Sequence, residues 1–127
     1  LQEAEQQLHD AQDALESGQA AAAATGGFDA MVTAAKALVR HLEVQVKDDA
    51  DDVVATFKTH LHDTEIFHDP FAKGKFATYL LKMHGDSAHE NANDEIAHRT
   101  LDEAQLFIEA AHACYQRLTQ TAATAAE

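Results

Sequence analysis

Tryptophan is absent from this chain, proline and cysteine occur once each, and glycine occurs five times in 127 residues. Each scarcity excludes something. A lone cysteine, Cys114, cannot form an intrachain disulfide, so a disulfide-stapled extracellular fold is ruled out. With so little proline and glycine, almost nothing interrupts helix formation. Basic residues are also short: 9 Lys and Arg stand against 22 Asp and Glu, a net charge of −13 with histidine neutral. A surface of that sign repels phosphate backbones and anionic membranes, which argues against nucleic-acid and membrane partners. It suits a well-solvated face, or a high-salt source where ions screen the repulsion. No window approaches the ~18 consecutive apolar residues of a membrane span, and no basic segment with an apolar core opens the chain. The expected location is therefore the cytoplasm. The chain starts at Leu1 rather than methionine, which points to a piece of something longer.

What is present is alanine and a helical apolar period. The length suits one domain, long enough to bury roughly 65–70% of the surface its unfolded form exposes. The expected fold is all-α: an antiparallel up-down bundle of four to five helices over residues 1–120, with an Ala/Thr-rich tail at 121–127 that frays. Leu1, Ala4, Leu8, Ala11, Leu15 and Ala22 form a seam along a first helix reaching about Ala24, with Gly26-Gly27 as the turn that ends it. A second helix from about Phe28 to Leu42 buries Phe28, Met31, Val32, Ala35, Leu38, Val39 and Leu42. After a loop at Val44–Asp49, whose aspartates offer N-caps, a third runs from about Ala50 to Phe67 on Val53, Val54, Phe57, Leu61 and Thr64. Pro70 stops it. A short helix around Lys75–Met83 carries Phe76, Tyr79, Leu80 and Met83. Beyond a polar stretch from His84 to about Ser87, a last helix extends to Leu118 or Gln120. It buries Ala97, Thr100, Ala104, Phe107, Ile108 and Ala111, with Cys114 as an inert buried thiol.

Nine histidines in an acidic chain raise the question of a metal. Glu65-Ile66-Phe67-His68 and Glu95-Ile96-Ala97-His98 are both Glu-x-x-His pairs, the unit a di-iron carboxylate bundle uses twice. Such a site also needs an inward glutamate from each of two further helices, and the first two helices do not supply them. His68 additionally sits against Asp69-Pro70 at a helix end. His60 and His62 fall on different sides of a helix, His84 and His89 lie in or beside a loop, and His112 packs half-buried beside Ile108. No nucleophile elbow, Cys-x-x-Cys, phosphate loop or His-Glu-x-x-His occurs, and Ser17 and Ser87 lack a base and an orienting group. The sequence thus assigns no catalytic, cofactor-binding or metal residue.

The helix order resembles the HEPN superfamily of small helical bundles. The likeness is carried by Phe28 to Val39, by Lys75-Phe76-Ala77-Thr78-Tyr79 before the last helix, and by His98 to Ala111 in it. Many HEPN proteins cleave RNA with an Arg followed four to six residues later by His. Arg40, Arg99 and Arg117 are the arginines here, and none has a histidine at that spacing. Lys73, Lys75 and Lys82, flanked by Asp69 and Asp86, form the one basic cluster. A narrower likeness is carried by Asp52–Phe57, Asp63–Phe67, Lys73–Ala77 and Glu103–Cys114. These runs resemble the helical domain at the C-terminus of some bacterial ferredoxin-type sulfite/nitrite reductases. That resemblance implies a non-catalytic accessory domain whose partners are the parent enzyme's other domains or a second copy of itself. Siroheme and iron–sulfur cluster would lie outside this chain, since one cysteine cannot hold such a cluster. The alternative is a stand-alone HEPN-type protein, nucleotide- or RNA-related, with a di-iron bundle third.

Overall fold

Alanine-rich segments with a 3.6-residue apolar period leave the backbone little choice, and every regular element among the described residues is helical. The computed structural model describes residues 2–42, 49–63, 67, 80, 81 and 93–125. They form α1 (Gln2–Glu16), α2 (Ala20–His41), α3 (Ala50–Phe57), a π-helical turn (Lys58–His62) and α4 (Asp94–Ala125). The fold is an all-α helical bundle with α2 at its centre, packed against α1, α3 and α4.

The first reversal lies eight residues earlier than Gly26. α1 ends at Glu16, and Gly18 takes φ +80°, the left-handed conformation that costs glycine least. The Gly18 N–H donates to the Leu15 carbonyl (3.0 Å) and the Gln19 N–H to the Ala14 carbonyl (2.9 Å). This paired closure satisfies carbonyls that the helix end would otherwise orphan. Gly26 and Gly27 instead lie inside α2, so the expectation that they end a helix is corrected. Their role is close approach. A Cβ on Gly26 would come within 2.9 Å of the Ala11 Cβ on α1, and one on Gly27 within 3.0 Å of a Leu101 methyl on α4. Two glycines cost a helix interior about 1 kcal/mol each relative to alanine. Here they let α2 sit against both neighbours at once. The revised boundary also moves Ala22 off the first-helix seam: it is exposed on α2, while Ala4, Leu8 and Ala11 are buried on α1.

As the central helix, α2 buries Phe28, Ala30, Met31, Ala34, Ala35, Leu38 and Val39, with Val32 and Leu42 partly covered. The third helix departs from the expected unbroken Ala50–Phe67. Asp49 caps it as anticipated, its Oδ1 accepting the Asp52 N–H at 2.7 Å. Regular α-helix then ends at Phe57 and a wider turn follows, in which the Asp63 N–H donates to the Lys58 carbonyl five residues back. The same five-residue step brings Lys58 Nζ to 3.1 Å from Asp63 Oδ2. Beyond it, the Phe67 N–H donates to the Leu61 carbonyl six residues back (3.0 Å), and Phe57, Leu61 and Phe67 are all buried.

Leu80, fully buried, and Leu81, partly buried, are helical. The rest of the expected Lys75–Met83 helix, with Phe76 and Tyr79, lies outside the described residues, as do Thr64, Pro70 and the lysine cluster. On α4 the anticipated face is buried in full: Ala97, Thr100, Ala104, Phe107, Ile108 and Ala111, joined by Leu101 and Cys114. Asn93 caps this helix by accepting the Ile96 N–H at 2.9 Å. The helical backbone continues to Ala125, past Leu118 and Gln120. An aromatic trio lies in the core. Phe57, Phe67 and Phe107 have ring centroids 5.0–5.6 Å apart in tilted or edge-on arrangements, the geometry their quadrupoles favour.

Candidate functional site

Helix direction decides which polar groups meet. Gly26 faces Ala11, so α2 doubles back along α1; Gly27 faces Leu101 and His41 faces Tyr115, so α2 and α4 run the same way. This brings the start of α1, the end of α2 and the second half of α4 to one end of the bundle. There His112 on α4 places Nε2 2.6 Å from Glu5 Oε1 on α1, a contact spanning 107 residues of sequence. Both side chains are about half exposed. Such a bond ties two helices together but, screened by water, contributes no more than about 1 kcal/mol.

Beside that bond, the His41 and Tyr115 rings lie 4.8 Å apart at 52°. Gln2, Ala37, Arg40, His41, His112 and Tyr115 line an open groove of about 540 Å³. On the other side of His112 a smaller groove, about 270 Å³, runs between α1 and α4 past Leu8, His9, Gln105 and Glu109. His9 itself is exposed and pairs with Asp13 one turn on, at 3.6 Å. Arg40 and His41 occupy the last turn of α2, where positive charge meets the negative end of the helix dipole.

The histidines weighed as ligands are dispersed. Glu95 and His98 are exposed on α4, while Glu65 and His68 lie outside the described residues, as do His84 and His89. His60 is exposed and His62 half-buried on the π-helical turn. Among the described residues no three His, Cys, Asp or Glu side chains are placed to hold one metal ion. His112 is half-buried with one ring nitrogen bonded, as its position after Ile108 suggested. Cys114 is buried on the same helix. Removal from water pushes its thiol above the ordinary value, a shift that the hydrogen bond and charge of Arg117 partly oppose.

The corner formed by Glu5, Arg40, His41, His112 and Tyr115 is not legible in the sequence. Glu5, Arg40, His41 and Tyr115 each read alone as solvated helix positions and His112 as a half-buried one, and the one signal of the corner is two basic residues closing α2. Comparison with known proteins finds no match: no family model, no curated protein and no solved structure is similar to the chain. No helix among the described residues is long and apolar enough to cross a membrane.

Proposed function

We propose that this chain is a non-catalytic accessory domain that docks on the other domains of a larger protein or on a second copy of itself. The observation carrying this reading is how the interior is filled. Alanine and glycine bring α1, α2 and α4 together, and Phe57, Phe67, Phe107, Met31 and Leu38 occupy what space remains. Polar side chains meet at the rim, in open grooves, where water competes for every bond they make. Such a body is suited to presenting a rigid surface.

The resemblance of Glu103–Cys114 and the three earlier runs to the helical domain of ferredoxin-type sulfite/nitrite reductases supplies the proposed parent, a siroheme oxidoreductase. Reading the gene's full frame tests this first. Upstream cysteine clusters fitted to an iron–sulfur centre are expected; a frame encoding this bundle alone sinks the assignment. In the full-length protein, deleting this domain should leave the siroheme absorbance and the turnover per siroheme intact while changing the assembly state. Loss of siroheme turnover with the cofactor still bound would give this chain a part in the chemistry and overturn the accessory reading.

A further inference from the structure

The turn between α1 and α2 is held by very little. Ser17, Gly18 and Gln19 are exposed, and a side chain at Gly18 would meet no atom within 4 Å. Gln19, which starts α2, makes no side-chain cap bond. What bends the chain is Gly18 at φ +80° and the two bonds beside it, to the Leu15 and Ala14 carbonyls. Straightening these residues into helix only exchanges the acceptors: the Gly18 N–H passes to Ala14 and the Gln19 N–H to Leu15. The N–H groups of Ala20, Ala21 and Ala22 then gain the carbonyls of Glu16, Ser17 and Gly18, and the uncapped start of α2 becomes the interior of one long helix. The packing face stays in phase through this change. At about 100° per residue, Ala4, Leu8, Ala11, Leu15, Ala22 and Gly26 fall within about 60° of one another on the straightened helix. Ala4, Leu8 and Ala11 are the residues α1 buries, and Gly26 is where α2 meets Ala11. Ala22, exposed in the closed hairpin, joins the same stripe.

We propose that α1 is an exchangeable helix: with Ser17–Gln19 straightened, it leaves its own α2 and packs on α2 and α4 of a second copy of the chain. This rests on the docking reading above and deepens it, naming a second copy as the partner and α1 as the element passed between them. Ala11 opposite Gly26 puts the midpoint of the hairpin between Gly18 and Gln19. Two straightened helices running in opposite directions and centred on that point repeat the α1–α2 pairing between copies, with Ala11 of each against Gly26 of the other. Glu5 of one copy meets His112 of the other in the same way, so exchange requires no new interface. Release of α1 uncovers little apolar area, because its buried side chains are Ala4, Leu8 and Ala11. Two terms oppose the exchange. Gly18 loses more backbone freedom in a helix than any other residue, and two chains of net charge −13 repel. Gly18 is therefore both the hinge and the brake.

The test is the assembly state of the purified chain by sedimentation equilibrium, in about 0.5 M sodium chloride to screen the charge. A short linker sets an effective concentration of about millimolar, so the unaltered chain should be monomeric at about 10 μM and partly dimeric at about 1 mM. Gly18→Ala strains the turn and favours the helix, each hinge gaining about tenfold, so the dimer with its two hinges should tighten about hundredfold. Gly18→Asn keeps a residue that tolerates the left-handed backbone and should tighten it far less. Distance then separates exchange from side-by-side docking. Gln2 and Arg40 line one groove in the closed hairpin, whereas on the straightened helix they stand about 57 Å apart. Spin labels on Gln2→Cys and Arg40→Cys, in a Gly18→Ala, Cys114→Ala background diluted with unlabelled chain, should report that long separation in the dimer. A dimer whose labels stay close sinks the exchange and leaves the docking reading standing. No dimer of the unaltered chain by about 1 mM overturns the proposal too. So does Gly18→Asn dimerising as tightly as Gly18→Ala.

Discussion

Gly26→Ala is the substitution that most directly tests how the bundle is assembled. In an isolated helix, alanine for glycine gains about 0.8–1 kcal/mol, because glycine loses more backbone freedom on folding. In this bundle the added methyl would lie 2.9 Å from the Ala11 Cβ and 3.6 Å from its Cα. Neither atom can rotate away, since both are fixed by the α1 backbone. The helices must separate instead, and overpacking of this kind costs about 1–3 kcal/mol. The net expectation is a loss of about 0–2 kcal/mol where propensity alone foresees a gain. Ala11→Gly should cost about 1 kcal/mol by itself. Combined, the two substitutions return one methyl and one hydrogen to the contact, on exchanged sides. The coupling between them should then be favourable by about 1–3 kcal/mol, read from urea midpoints in a double-mutant cycle. A coupling below about 0.3 kcal/mol, the scatter of independent sites, would show that α1 and α2 do not meet there. A turn at Gly26-Gly27 would give that null result, because no partner on α1 could then rescue it.

Phe107→Ala, which removes the ring shared by Phe57 and Phe67, should destabilise the chain by about 3–5 kcal/mol in the same urea assay; a loss below about 1 kcal/mol would put that residue on the surface. Gly18→Ala meets no neighbour within 4 Å but must hold φ +80°, so its cost of about 1–2 kcal/mol comes from backbone strain alone, and a gain in stability would displace the turn. The Cys114 thiol, pushed up by burial, stays protonated in the fold at a pH where the unfolded chain ionises. Its stabilising effect is therefore complete below the unfolded value and declines as pH rises from there through the folded one. Cys114→Ala should flatten stability between pH 8 and 10 relative to the parent, and an unchanged slope would mean the thiol is solvated. Elemental analysis should find no stoichiometric iron, manganese or zinc, because Glu95 and His98 face solvent; about two iron per chain, lost with either residue, would overturn the accessory reading.

The last helix is legible in sequence because its small and apolar residues keep a strict helical period on one face, with charged and polar groups filling the rest. Burial of Ala97, Thr100, Ala104, Phe107, Ile108 and Ala111 follows directly from that spacing. The first reversal is hard to place from sequence because glycine carries two meanings along a chain. It permits the left-handed backbone, as at Gly18, and it omits a side chain where helices touch, as at Gly26 and Gly27. The pair looked the stronger breaker, whereas the single glycine, between Ser17 and Gln19, closes α1. The π-helical turn after Phe57 was equally hidden. The Leu61 spacing from Phe57 fits an α-helix, and only the five-residue reach from Lys58 to Asp63 distinguishes the wider turn.

The groove was illegible for a different reason. Periodicity reports which side of a helix turns inward, whereas a polar corner is made by the offsets between helices. Glu5 and His112 are 107 residues apart, and nothing in either segment announces the other. Their meeting depends on α1 and α4 lying close enough for a histidine to reach a carboxylate. That approach depends in turn on the small residues packed around α2, with Gly26 against Ala11 on one flank and Gly27 against Leu101 on the other. A methyl group at position 26 would then do more than cost stability. By moving α1 away from α2 it would shift Gln2 relative to Arg40 and His41, and the groove would change shape without any lining residue being altered. Gly26→Ala should therefore shift the His41 and Tyr115 ring signals in an NMR spectrum, and adding Ala11→Gly should restore them in parallel with stability. The same two methyl positions would then govern both how the helices pack and how their common end is shaped.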